Sequence, residues 1–187
     1  MSRVRSWVAG LAIAAAAFLL SDAAAEAQLS GQQWYTVTLA ASHNDVEQVL
    51  ALLLQGDQDA DGVDSQGRTP LDYAASFNNP QMALVLLDHG AHVDGRDRAG
   101  DTALHWAAER GNLEVMRFLI ARGATVDAAN RQGTTPLIVA VQHVQPAAVR
   151  LLVEKGADPH KQDFTGRDAL GWAKGRPNII QALNARR

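Results

Sequence analysis

The chain contains no cysteine. That excludes disulfides, a thiol nucleophile and lipid attachment at a processed cysteine. It also lacks G-x-S-x-G, H-E-x-x-H and any glycine-rich phosphate loop, so hydrolase or nucleotide chemistry has no residues to stand on, and neither an enzymatic activity nor a cofactor is expected. A basic excess is missing too. The 17 Lys+Arg against 20 Asp+Glu leave a net charge of -3, which gives no overall pull toward nucleic acid. Finally, no apolar run reaches the ~20 residues of a bilayer span: the longest candidate, Trp7 to Leu20, has fourteen.

What is present begins with that short run. Two arginines lie within Met1 to Arg5, the apolar stretch follows, and an Ala-rich segment offers Ala-x-Ala sites ending at Ala25 or Ala27. This three-part layout is that of a secretory signal peptide over residues 1–27. The reading implies an exported mature chain, periplasmic or secreted, with no stable membrane insertion once the leader is removed. The rest of the 187 residues, with 47% hydrophobic and 20% charged residues overall, has the composition of a globular body. Its charge is unevenly distributed. From Gln28 to Gly95 there is one basic residue against nine acidic ones, net -8, whereas Arg96 to Arg187 carries fourteen basic and nine acidic, net +5.

That body repeats itself. GRTPLDYAASFNNPQMALVLLDHGA begins at Gly67, GDTALHWAAERGNLEVMRFLIARGA at Gly100, GTTPLIVAVQHVQPAAVRLLVEKGA at Gly133 and GRDALGWAKG at Gly166, an offset of 33 residues each time. Leu71, Leu104, Leu137 and Leu170 fall in register, as do Ala74, Ala107, Ala140 and Ala173. Internal self-similarity at such a period marks a repeat architecture. Thr69-Pro70-Leu71-Asp72 and Thr135-Pro136-Leu137-Ile138 match three of the four letters of TPLH, and Thr102-Ala103-Leu104-His105 supplies the histidine without the proline. With a period of 33 and T-P-L-x-x-A, the sequence resembles the ankyrin-repeat family. The resemblance runs over residues 32–183. It implies an all-α repeat fold, a solenoid of about three full 33-residue repeats between capping repeats, with projecting β-hairpin fingers. The expected organisation is a mature domain over 28–187: a cap at 32–62, repeats at 63–95, 96–128 and 129–160, and a C-terminal cap at 161–187.

The residue types suit such a unit. Thr69 and Thr135 are placed to cap an inner helix, with Pro at its first position where the missing N–H costs nothing. Leu71 and Ala74 then face the neighbouring unit, the alanines permitting close helix approach. Gly90, Gly123 and Gly156 stop the outer helices. No unit buries its apolar face alone, so stacking must do it.

Three groups of residues are candidates for chemistry. Asp57-x-Asp59-x-Asp61-Gly62 matches the opening of a calcium loop, but position twelve is Arg68 rather than Glu, so it reads first as a solvated acidic finger and only second as a weak calcium site. His89 and His92, beside Asp88 and Asp94, form no complete transition-metal ligand set. His105 resembles the family's structural histidine, which bonds adjacent loops. Trp106 and Trp172 align with Tyr73 and Val139 and read as a ladder between repeats.

The surface remains. The resemblance implies a protein partner held by finger tips and the exposed side of the inner helices. Carried over by alignment, the contact positions are Arg68 and Phe77; Arg96, Arg98, Asp101, Glu109 and Arg110; Arg131, Thr134 and His143; and Phe164 and Arg167. Arg98, Arg131 and Arg167 read as a recurring set, and arginine and aromatics are the types that dominate interface energy. The chain is expected to be monomeric apart from that partner.

Overall fold

The computed structural model describes residues 36–56 and 58–184. The leader read at 1–27 and Asp57 lie outside the described residues. Among the described residues ten helices form five consecutive pairs: α1 (Thr36–Ser42) with α2 (Val46–Leu54), α3 (Pro70–Ser76) with α4 (Pro80–Asp88), α5 (Ala103–Arg110) with α6 (Leu113–Ala121), α7 (Pro136–Gln142) with α8 (Pro146–Glu154), and α9 (Ala169–Trp172) with α10 (Pro177–Leu183). Each inner helix (α1, α3, α5, α7, α9) packs on the next inner one, and each outer helix on the next outer one, so the pairs make one continuous stack.

The register residues form its interior. Leu71, Leu104 and Leu137 are 1%, 0% and 0% exposed, whereas Leu170, in the last helix pair described, is 38% exposed. Ala74, Ala107, Ala140 and Ala173 are fully buried in every unit. A buried leucine is worth roughly 1.5–3 kcal/mol relative to solvent, and here each depends on the neighbouring unit for that burial.

Helix ends follow local sequence. Thr69 and Asp72 form a reciprocal box at the start of α3: Thr69 Oγ1 accepts from Asp72 N at 3.2 Å and Asp72 Oδ2 from Thr69 N at 2.8 Å. The outer helices α4, α6 and α8 close on Gly90, Gly123 and Gly156 at φ 94°, 91° and 95°. The next amides, Ala91, Ala124 and Ala157, reach back five residues to Leu86, Leu119 and Leu152 carbonyls at 3.0, 3.0 and 2.9 Å. This is a Schellman closure, which only a residue tolerant of the left-handed region permits.

The projecting fingers are turns rather than the expected β-hairpins, and no strand occurs among the described residues. The side chain at the base of each turn takes the donors that a strand pair would use. Asp97 Oδ1 accepts from Ala99 N at 2.8 Å and Asp101 N at 2.9 Å, and Asp64, Asn130 and Asp163 do the same in their fingers. Two backbone bonds close each turn, Asp97 N to Asp101 O at 2.9 Å and Gly100 N to Asp97 O at 3.0 Å for example. Side-chain capping of this kind competes with a ladder and wins in a five-residue loop.

Candidate functional site

The fingers are stitched sideways. Arg98 N donates to Gln66 O at 3.2 Å, Arg131 N to Ala99 O at 3.0 Å and Phe164 N to Gln132 O at 2.9 Å. Each contact sits against the glycine of the preceding finger. A Cβ on Gly100, whose φ is 82°, would lie 2.9 Å from Arg131 N, so the recurrent glycine is needed both for its backbone angle and for the approach of the next repeat. The side chains of Arg98, Arg131 and Phe164 are exposed at the tips, Phe164 to 81%. Arg167, grouped with Arg98 and Arg131 by residue type, does not share their register; Phe164 holds the third place, 33 residues beyond Arg131. Arg96 is committed elsewhere, donating through Nη1 to Gly100 O at 2.9 Å and Ala129 O at 2.7 Å.

A second lateral row runs along the finger bases. The Asp61 carboxylate accepts from His92 N at 2.8 Å and pairs with the His92 ring; Asp94 accepts from Thr125 N at 2.9 Å and Thr125 Oγ1 at 2.6 Å; Asp127 accepts from Asp158 N at 3.1 Å. The acidic loop thus spends Asp61 on the next repeat, and Asp59 Oδ1 caps Asp61 N at 2.8 Å. His92 gains a partner in the process, and the Asp61 hydrogen bond holds its imidazole above the ordinary range. His89 Nδ1 donates to Val85 O at 2.8 Å, within its own helix.

Between fingers and inner helices lies a row of rings. Tyr73 OH donates to Asp64 Oδ2 at 2.7 Å and Trp172 Nε1 to Asp163 Oδ2 at 2.7 Å. Burial alone would raise both carboxyls; hydrogen bonds from Tyr73 and Arg68 to Asp64, and from Thr165 and Trp172 to Asp163, outweigh it and hold both below the usual carboxylate range. Trp106 occupies the same register, yet its buried Nε1 has no hydrogen-bond partner among the described residues. Arg68 lies over Trp106 at 4.5 Å from the ring centroid and 6.0 Å from Tyr73, and Tyr73 stacks on Phe77 at 6.4 Å. Arg167 is the counterpart of Arg68, 4.7 Å over Trp172.

The row is interrupted at Val139. There a cavity of about 400 Å3 opens, walled by Trp106 and Trp172 with Val139 between, and rimmed by Asp101, Glu109, Thr134 and His143. Those four rim residues were legible as contact positions. Trp106, Trp172, Val139, Asn130 and Asp163, which also line it, were not; the signal was a large-large-small-large succession at one register position. Of the remaining candidates, Arg68 and Phe77 lie on the repeat-one side. Arg110 stands beside Glu109 at 3.9 Å, too long for a hydrogen bond.

His105 forms part of the cavity wall and ties the repeats together. Its Nδ1 accepts from Thr102 N at 3.1 Å, and its Nε2 faces Thr134 O at 3.1 Å. A carbonyl can only accept, so the proton sits on Nε2. Burial pushes its pKa below the ordinary value, keeping the ring neutral.

Among the described residues, no cluster of His, Asp and Glu has the make-up of a metal site, and no helix is long and apolar enough to cross a membrane. A family model described as ankyrin repeats (3 copies) matches the chain over residues 9–97 and 94–163. No curated protein matches it.

Proposed function

Because this chain belongs to the ankyrin-repeat family, whose arrays mediate protein–protein interaction, we propose that it is a non-enzymatic binding protein of the cell envelope. It grips a folded partner along the strip from Phe77 to Arg167, and acts as a stabiliser, inhibitor or immunity-type protein. The N-terminal layout of charged, apolar and small residues supports export.

One observation carries the reading: Arg98, Arg131 and Phe164 are exposed at successive finger tips whose backbones are bonded to one another. Side chains presented at fixed spacing by stitched loops need little ordering on contact, which lowers the entropic cost of association. Two of the three are arginines, suiting an acidic patch on the partner, and charge complementarity of this kind sets orientation and on-rate. Three to four units offer room for a standard interface of ~1,600 Å2.

The test is affinity capture from the exporting cell's envelope fraction, using the chain from Gln28 onward. Charge reversal at Arg98→Glu with Arg131→Glu should abolish capture while helical circular dichroism stays unchanged. A partner retained equally well by the double variant overturns the assignment.

A further inference from the structure

We propose that the cavity between Trp106 and Trp172 is a receptor for an arginine side chain of the protein partner. The chain carries its own template for this. In repeat one the slot between Tyr73 and Trp106 is filled from within by Arg68, its guanidinium 4.5 Å from the Trp106 centroid and 6.0 Å from that of Tyr73. Past the last ring, Arg167 covers Trp172 at 4.7 Å. The two intervening positions of the same 33-residue register hold Asp101 and Thr134, neither long enough to cover an indole. Val139 replaces the ring that would stand between them. The middle of the row has therefore lost both cations and one aromatic, and the volume they would fill is open.

The electrostatics select the guest. Asp101, Glu109 and Asp163 line the cavity, and among the described residues no lysine or arginine does. His105, neutral through burial, does not offset them. Asp163 is already engaged by Trp172 and Thr165, so it contributes field rather than a new bond. Asp101 gives one oxygen to Asn130 Nδ2 at 2.7 Å, and Glu109 has only the 3.9 Å approach of Arg110. An acidic guest is repelled, and an apolar one would strip water from carboxylates without compensating them. A lysine ammonium is a compact, strongly hydrated charge. A guanidinium is planar and weakly hydrated; it lies flat on an indole while its edge donates to carboxylates, as Arg68 already lies on Trp106.

That the arginine comes from a protein rests on the proposed binding function; the site itself is tested without any partner. The probe is acetyl-Gly-Arg-Gly-amide titrated into the 15N-labelled chain, read at the indole N–H signals of Trp106 and Trp172. The same peptide with citrulline or lysine serves as the neutral and the ammonium comparison. Expected are saturable shifts of both indoles, with a dissociation constant on the order of 1 mM and at least about tenfold weaker binding for citrulline. The lysine peptide should bind several-fold more weakly. Val139→Trp, which puts a ring in the gap, should remove the response. Asp101→Asn with Glu109→Gln, which keeps the Asn130 bond and the side-chain sizes, should weaken it about tenfold. Absent shifts, equal binding of citrulline, or a response undiminished in both variants overturns the site. No peptide response in the wild-type chain, with capture still dependent on Arg98 and Arg131, removes the cavity assignment alone.

Discussion

Repeats one and two place different residues at the third position of the inner helix, and the contrast shows what that position requires. In repeat two, His105 takes a backbone proton from Thr102 and gives one to Thr134 O in the next finger. In repeat one, Asp72 Oδ2 accepts the equivalent hydrogen bond from Thr69 N, but buried Oδ1 has no partner among the described residues. The site needs an acceptor at its near end and a donor at its far end. Neutral imidazole supplies both, whereas a carboxylate supplies only the first. Burial therefore pushes the Asp72 carboxyl up to about 8, with Asp97 and Asp101 adding repulsion.

Moving the carboxylate into repeat two should have the largest effect. His105→Asp would take from Thr134 O one of its two donors, leaving only Asn130 N, and would bury a carboxyl beside Asp101. A loss on the order of 3 to 5 kcal/mol is expected near neutral pH, read by urea denaturation.

The pH profile separates the same two residues without mutation. Between the Asp72 carboxyl's ordinary 3.8 and its folded value of about 8, the native state holds a proton that the unfolded chain has released. Stability should therefore fall as pH rises through that window, by up to a few kcal/mol. His105 acts oppositely: its folded pKa lies below the ordinary 6.5, so its contribution is lost as pH drops beneath that value. Asp72→Asn keeps an acceptor for Thr69 N and adds a permanent donor. It should gain about 1 to 3 kcal/mol at pH 9, shrinking toward zero near pH 4 on the same linkage. A variant whose stability parallels the wild type from pH 4 to pH 9 would remove Asp72 as the source of the slope.

A smaller effect contrasts two tryptophans in one register. Trp172→Phe and Trp106→Phe remove similar apolar area and each loses part of an arginine stack. Only Trp172→Phe breaks a hydrogen bond, the 2.7 Å contact to Asp163, whereas the Trp106 donor has no partner to lose. The first should cost about 1 kcal/mol more than the second, measured by paired denaturation midpoints. Equal costs would mean that Asp163 is satisfied by its other donors alone.

Much of this was legible because stacking imposes it on every unit. Leu104, Ala107 and Gly123 recur since each unit must bury the same face and stop the same helix, so a one-dimensional period reports them. The lateral bonds were not legible. Asp94 to Thr125 and Arg131 to Ala99 join residues about one repeat apart, and within one unit an aspartate or glycine shows only a turn. Arg167 was grouped with Arg98 and Arg131 by residue type, although the register places Phe164 there. The cavity was harder still. Val139 aligned with three aromatics, but a void is defined by the walls that surround it, and those come from two other repeats.

The smallest expected effect concerns the turn between inner and outer helices, where the repeats again differ. Asn78, Gly111 and Val144 occupy the same register with φ 53°, 71° and 56°. Asparagine and glycine enter this left-handed region at little cost, but a β-branched side chain is strained in it. Val144 is also 44% exposed, so its methyls recover little burial in return. Val144→Asn should therefore stabilise the chain by about 1 kcal/mol, seen as a higher midpoint in thermal unfolding. The residue adjoins His143 on the cavity rim, and strain held beside a binding surface persists when that surface uses it. If Val144→Asn raises the midpoint and also weakens partner capture, the valine is retained for contact; if it raises the midpoint and leaves capture intact, repeat three merely tolerates a turn that repeats one and two have relieved.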